Sequence, residues 1–375
     1  METQIDPMDR AVSVWADRTA PVHEGESDDR MESYRRYIYR KYFFIAFCVV
    51  AAFLAAGYAL TIGDYSIDFW DTYGILWKHI TGGITEDLAI ADYVVWDLRA
   101  PRVATGIIAG AGLAAAGAVM QSILRNPLAD PYTTGISSGA SFGATLALGL
   151  GLSLTGNSYA VVANAFVFSL IPMATIIVVS KMKSSSPATM IMAGIAIMYL
   201  FNAMSTLIKL WSDEQTIASI FAWSVGSIDS NTWPNVGLMF VTTLSGLALL
   251  QVMSRRLNVL STGDESARSM GVNASQLRIL SLLVVSLVAA VIVSFTGLIG
   301  FVGLVCPHIA RLVIGSDNRY LIPASAAFGA ALLLVADTVG RIIIAPAVIQ
   351  VGVITAFIGA PLFLYLIVKQ KKEAW

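Results

Sequence analysis

Fifty consecutive residues, 131–180, contain no Asp, Glu, Lys or Arg, and a second charge-free run covers 279–310. A water-soluble domain carries roughly one charged residue in four, so stretches of this length are incompatible with a chain bathed in water. A bilayer core, by contrast, asks for about 20 apolar residues per helical crossing. Hydrophobic residues are 56% of the chain and charged residues 13%. The chain therefore reads as an all-α polytopic membrane protein.

Polar and glycine-rich breaks divide the apolar sequence into about ten spans of near-bilayer length. They are expected near 42–62, 102–124, 132–151, 158–180, 187–210, 235–254, 276–296, 301–315, 320–341 and 350–368. A polar N-terminal tail, 1–40, precedes the spanning domain, 41–370, and residues 371–375 form a short C-terminal tail. The N-terminal tail lacks the character of a secretory signal and reads as disordered or loosely helical at the membrane surface. With that tail in the cytosol, nineteen of the 24 Lys and Arg fall on the cytosolic side, and Lys78, Arg99, Arg102, Lys209 and Arg341 fall outside. This asymmetry predicts a multi-pass protein of the cell membrane with both termini cytoplasmic.

Trp70, Trp77, Trp96, Trp211, Trp223 and Trp233 lie in or beside the two longest outer loops. Two readings fit them: an interfacial aromatic belt or a docking surface for a soluble partner. Small residues recur four apart at Gly106/Gly110, Gly112/Ala116 and Gly135/Gly139/Gly143. That spacing lets helix backbones approach closely, so these segments are expected inside the bundle.

The chain has no G-x-x-x-x-G-K-[ST] phosphate loop, so any ATP-derived energy must come from another polypeptide; the chain itself is not an enzyme. Ion-coupled carriers usually place ionisable residues at mid-membrane, and the expected spans hold very few. Asp337 and Arg341 are four apart, where they can pair with each other. Between the sixth and seventh spans runs SRRLNVLSTGDESARSMGVNASQLRI. In its centre, 261–273, Asp264, Glu265, Ala267, Arg268 and Met270 can form a short surface helix after Gly263, ended by Gly271. It is either a solvated loop helix or a coupling helix seated in a groove of a cytosolic motor subunit.

Four stretches resemble the permease subunit of the FecCD-type ABC importers, which take up iron–siderophore complexes, haem and cobalamin. They are RAPRVATGIIAGAGLAAAGAVMQSILRNPLADPYTTGISSGASFG (99–143), GDESARSMGV (263–272), GLIGFVGLVCPHIARL (297–312) and VGVITAFIGAPLFLYLI (351–367), in family order and spacing. One departure precedes the last span: AVIQVG, with Val348 and Gln350, stands where the family usually has an acidic residue and a proline. The resemblance implies the type II ABC importer architecture: a homodimer of ten-helix subunits in membrane lipid, two cytosolic ATPase subunits and one solute-binding protein. It implies no cofactor and no nucleic-acid partner. The loop holding Gly263–Gly271 would be the coupling helix. Arg99, Arg102 and Arg341 would receive acidic residues of the binding protein. The substrate would be a bulky metal chelate, an iron(III)–siderophore complex first, with cobalamin or haem as alternatives. A channel or ion-coupled carrier is the rival class; the scarcity of intramembrane carboxylates and the presence of GDESARSMG speak against it.

Two further stretches carry chemistry-bearing residues. Asn126, Pro127, Asp130 and Pro131 build a tight inner turn, with Pro131 expected to open the next helix. Ser137 and Ser138 follow at a gate near the dimer axis, unless the turn is purely structural. Cys306, Pro307 and His308 sit inside an apolar run. Helical positions two apart point about 200° from each other, so Cys306 and His308 do not share a metal, and no metal site is expected. Pro307 marks a helix start or kink, and His308 is expected to bond a backbone or loop partner.

Overall fold

The computed structural model describes residues 24–63, 65–156, 159–183 and 185–369. The expectations for residues 1–23 of the N-terminal tail and for the C-terminal tail lie outside them. The chain divides into two compact units, Met1–Phe43 and Phe44–Trp375. Within the first, Arg36 pairs with Glu32 one turn away at 2.5 Å, and the Lys41 ammonium lies 4.2 Å from the centre of the Tyr37 ring.

Thirteen α-helices are numbered here: α1 Glu24–Thr61, α2 Phe69–Thr81, α3 Ala100–Leu124, α4 Ile136–Leu150, α5 Ala160–Met182, α6 Pro187–Leu210, α7 Glu214–Val225, α8 Trp233–Ser261, α9 Asp264–Ser269, α10 Ala274–Thr296, α11 Val302–Ile314, α12 Asn318–Ile342 and α13 Val351–Lys369. Ten of them coincide with the ten expected spans. Among the described residues, seven helical segments are long and apolar enough to cross a membrane, and α4, α11 and most of α13 are shorter apolar helices.

Helix starts follow local chemistry. Ser186 accepts from the Thr189 amide and Pro187 occupies the first turn of α6. Asp213 accepts from Thr216 at α7, and Asn273 accepts from Gln276 at α10. Each side chain satisfies an amide that the first turn leaves unpaired.

Four features differ from the sequence expectation. The two longest outer loops contain α2 and α7, helices outside the expected spans. Residues 24–40, expected as disordered or loosely helical, are the first part of α1. The sixth span continues as helix to Ser261, because Leu257 and Leu260 are buried beyond the apolar window. Pro131 opens a 3₁₀ turn, Pro131–Thr134, rather than the next helix. Asp130 and Thr133 cap each other reciprocally there, and Gly135 at φ +88° reorients the chain before α4 begins.

The centre of the bundle is α3. In its most apolar window 83% of residues are buried, against 22% for α6. Glycines permit this. A Cβ on Gly110 would lie 2.3 Å from the Gly329 carbonyl oxygen of α12. One on Gly117 would lie 1.7 Å from that of Gly303 of α11. No side chain fits such gaps, so α12 and α11 pack backbone to backbone on α3. Gly139 and Gly143 of α4 meet the Phe168 and Asn164 carbonyls of α5 in the same way.

The contact between Gly117 and Gly303 also explains the two shortest spans. At about 1.5 Å per residue, α4 and α11 are too short for a core about 30 Å thick. Both begin inside the bundle. The amide of Ile299 donates to the Tyr132 hydroxyl at 3.1 Å, and a Cβ on Gly303 would meet the Leu113 carbonyl in the middle of α3 at 3.1 Å. Irregular backbone at 131–135 and 297–301 thus reaches mid-depth, and one helix leaves from each toward opposite ends.

Candidate functional sites at the two ends of the bundle

One end carries α9 together with the connections α3–α4, α5–α6 and α11–α12; it is called the 264 end. The other carries α2, the α12–α13 connection and the C-terminal end of α12, and is called the 341 end.

At the 264 end, α8 finishes at Ser261, and Gly263, at φ +121°, turns the chain into the six-residue α9. Gly271, at φ +76°, ends it as expected of a glycine after a helix. The amide of Val272 returns to the Ala267 carbonyl at 2.8 Å. Ala267 is the only buried residue of α9; Glu265, Arg268 and Met270 are exposed. Asp264 is turned inward. Arg278 of α10, fully buried, donates to both its carboxylate oxygens, at 2.7 Å from Nη1 and with a second, short bond from Nη2. This bidentate partner, with Arg125 and Arg268 adding to it, holds the Asp264 carboxyl below the usual carboxylate range. Alongside, Asp317 accepts from Asn258 at 2.7 Å and from Arg319. Burial acts to raise its carboxyl, but these bonds bring it down to about 2.

The turn after α3 belongs to the same end. Arg125 adopts φ +46°, and the Leu128 amide donates to Asn126 Oδ1 at 2.9 Å. The Thr133 amide donates to Asp130 Oδ1 at 2.8 Å. Pro127 is half-buried and Pro131 buried. Of the two serines, Ser138 is buried with its hydroxyl spent on the Gly135 carbonyl at 2.8 Å, whereas Ser137 stays half-buried.

At the 341 end, a π-helical turn, Tyr93–Arg99, leads into α3. Arg102 forks onto Asp337 of α12, with Nη2 2.8 Å and Nε 3.1 Å from Oδ1. Arg341 brings Nε to 3.1 Å from Asp337 Oδ2 and donates from Nη1 to the Ile62 carbonyl at 2.8 Å. Arg341 Nη2 has no hydrogen-bond partner among the described residues. Arg99 donates to the Leu60 carbonyl at 3.0 Å and to that of Tyr65. The three arginines expected to cluster do so, around a cavity of about 550 Å³ that Asp229 and Val348 also line. Two of them are buried in the described chain, Arg99 at 5% and Arg341 at 8% exposed.

The tryptophans divide. Trp96 stacks on His79 at 4.1 Å and meets Trp233 at 5.2 Å. Asp92 pairs with His79 Nδ1 at 2.8 Å. Trp70, Trp77 and Trp211 remain strongly exposed. On α11, Cys306 and His308 are buried. Nδ1 of His308 makes no hydrogen bond among the described residues, and its ring meets Phe363 edge-on at 6.1 Å. Pro307 lies inside α11, not at its start.

Sequence reasoning did not single out Arg278 or the shared role of Asp337 toward Arg102. An arginine within the first turns of a span was a usable signal for Arg278. None pointed to the pairing of Arg102 with Asp337.

Comparison with known proteins gives a consistent result. The FecCD transport family matches residues 48–369. The chain is 41% identical over 354 residues to an ABC transporter permease protein of Methanocaldococcus jannaschii, covering 92% of this chain and 99% of that one. It is 36% identical to a hemin transport system permease protein of Yersinia pestis, over 74% of this chain and 84% of the relative. Among solved structures, a metal-chelate type ABC transporter in an inward-facing conformation superimposes with a TM-score of 0.76 at 31% identity, covering 87% of this chain and 99% of that one.

Proposed function

Because the chain belongs to the FecCD transport family, we propose that it is the membrane-spanning subunit of an importer that carries a bulky metal chelate into the cytoplasm. In this reading the 264 end faces the cytosol, with both termini, and two ABC ATPase subunits bind there. A solute-binding protein delivers the substrate to the 341 end. Two copies of the chain enclose the route. An iron(III)–siderophore complex is the first choice of substrate, with haem and cobalamin as alternatives.

The observation that carries the reading is the division of α9 into an anchored and an offered face. Asp264 and Ala267 are held by the bundle, while Glu265, Arg268 and Met270 point outward. A solvated loop helix has no need of a buried bidentate anchor. The route itself is assigned to the apolar groove of about 600 Å³ lined by Val225, Leu298, Phe301, Val353, Phe357 and Pro361. Irregular backbone at membrane depth is tolerated where it lies inside protein or lines a water-filled cavity, and 297–301 borders this groove. The gate is assigned to Ser137 rather than Ser138, whose hydroxyl is already used. At the 341 end, Arg99, Arg102 and Arg341 receive carboxylates of the binding protein at their cavity, with Arg341 exchanging its contact to Asp337 for the incoming one.

The test is ATP-driven uptake in vesicles reconstituted with the ATPase subunits. Glu265→Arg should abolish substrate-stimulated hydrolysis and uptake together. Wild-type levels of both would remove α9 as the motor contact. Affinities of the binding protein for siderophore, haem and cobalamin complexes then identify the substrate.

A further inference from the structure

The largest fully buried side chain of the described bundle is that of Arg278. All three of its guanidinium nitrogens are used, and they reach three separate parts of the chain. Nε donates to the Ile123 carbonyl in the last turn of α3 at 2.9 Å. Nη1 donates to the Ser185 carbonyl in the α5–α6 turn at 3.2 Å and to Asp264 at 2.7 Å. Nη2 completes the fork on Asp264. With α10, which carries the residue, four elements meet on one planar group.

Stability alone does not account for this choice. A buried ion pair is often no more stabilising than well-packed apolar residues of the same volume. What the guanidinium adds is direction: a rigid fork of donors fixes the relative orientation of its acceptors. Apart from this fork, α9 is held by one buried side chain, Ala267. A six-residue helix seated so lightly would slide over the bundle when pushed. Tied to Arg278, it pulls on Ile123, which lies directly before the Arg125–Asp130 turn and the segment that reaches mid-depth.

We propose that Arg278 is the positioning residue that locks α9, the end of α3 and the α5–α6 turn into one rigid body, so that displacement of α9 is delivered to the turn leading into the gate. The inference rests on the reading of α9 as the motor contact and adds the part that transmits the force.

Two measurements test it on the complete transporter in lipid nanodiscs and vesicles. In the first, Thr262→Cys and Lys183→Cys, both at exposed positions, carry spin labels, and their separation is followed through the nucleotide cycle in labelled protein that retains ATP-driven uptake. The native Cys48 and Cys306 are buried. A single narrow distance, unchanged between nucleotide states, is expected; a distance that shifts with nucleotide would overturn the proposal. In the second, Arg278→Gln should still assemble with the ATPase subunits and hydrolyse ATP, while uptake per ATP falls at least tenfold. An assembled Arg278→Gln transporter with wild-type uptake per ATP would make the residue merely structural. If that variant does not assemble, the label distance in the otherwise wild-type chain decides alone. Failure of the motor-contact reading looks different: Glu265→Arg would then leave uptake intact whatever Arg278 does.

Discussion

The two ends of the bundle bury arginine in opposite ways. At the 264 end one guanidinium meets one carboxylate, and its nitrogens are all used on Asp264, Ile123 and Ser185. At the 341 end three guanidiniums line a cavity with Asp229, Arg102 and Arg341 share Asp337, and Arg341 Nη2 has no hydrogen bond among the described residues. The first arrangement is closed: every guanidinium nitrogen of Arg278 has its acceptor within the chain. The second is open: it carries an excess of positive charge and an unfilled space. A closed site suits transmission of force, and an open one suits reception of an acidic partner. The same residue type builds both arrangements, distinguished by what surrounds it.

The sharpest way to break this contrast is at Arg278. Its replacement by Ala takes the donor from the Ile123 and Ser185 carbonyls and the bidentate fork from Asp264, and should cost about 3–5 kcal/mol, read as a fall in the detergent-solubilised unfolding midpoint. The paired change Arg278→Met with Asp264→Leu should recover most of that stability without recovering uptake. If it restores both, the 264 end is a packing feature.

Asp337→Ala comes next. Arg102 and Arg341 lose their shared carboxylate, and about 3 kcal/mol of stability should go with it. Loss should be smaller than at Arg278, because Arg341 keeps the Ile62 carbonyl. An equal or larger loss would show that the 341 end is as closed as the other.

A smaller effect is expected from reversing Arg99 and Arg341 to Glu. Binding-protein affinity should weaken about tenfold, ~1.4 kcal/mol, and what remains should respond less to salt. Unchanged affinity and salt slope would return these arginines to a purely internal role.

The smallest effect is one of pH. The Asp264 carboxyl is lowered in the folded chain, chiefly by its hydrogen bonds to Arg278. A lowered carboxyl contributes stability above its unfolded value, about 3.9, and loses it as pH falls through the folded value. Anchoring of α9 should therefore be constant from neutral pH down to about 4 and weaken below. Hydrogen exchange of the Ala267 and Val272 amides would report it, and Asp264→Asn should remove the acid dependence. The same acid response in that variant would assign it elsewhere.

Much of the fold was legible because the bilayer imposes a one-dimensional rule. Length and apolarity mark a span, and the ten expected segments each hold a helix. Helices outside the spans escape that rule. Both α2 and α7 carry ordinary caps, Asp68 with Gly82 and Asp213 with Thr216, yet their apolar faces are too short to register as membrane segments. Proximity in sequence made Asp337 and Arg341 a visible pair, four residues apart on one helix face. It left the pairing of Arg102 with Asp337, 235 residues away, invisible.

By itself, then, the sequence determined the class of solvent, the number of crossings, the family resemblance and the place of α9. Each of these depends on local composition or on contiguous motifs. Only the tertiary structure decided that Asp264 faces inward, that the Ser138 hydroxyl is used on the Gly135 carbonyl, that Arg102 and Arg341 share Asp337, and that Arg278 joins four elements. Those facts rest on partners 14, 93 and 155 residues apart for Arg278 alone. A guanidinium's acceptors are chosen by how helices cross in space, and in this bundle the crossings are set by glycines that let α11 and α12 come to backbone contact with α3.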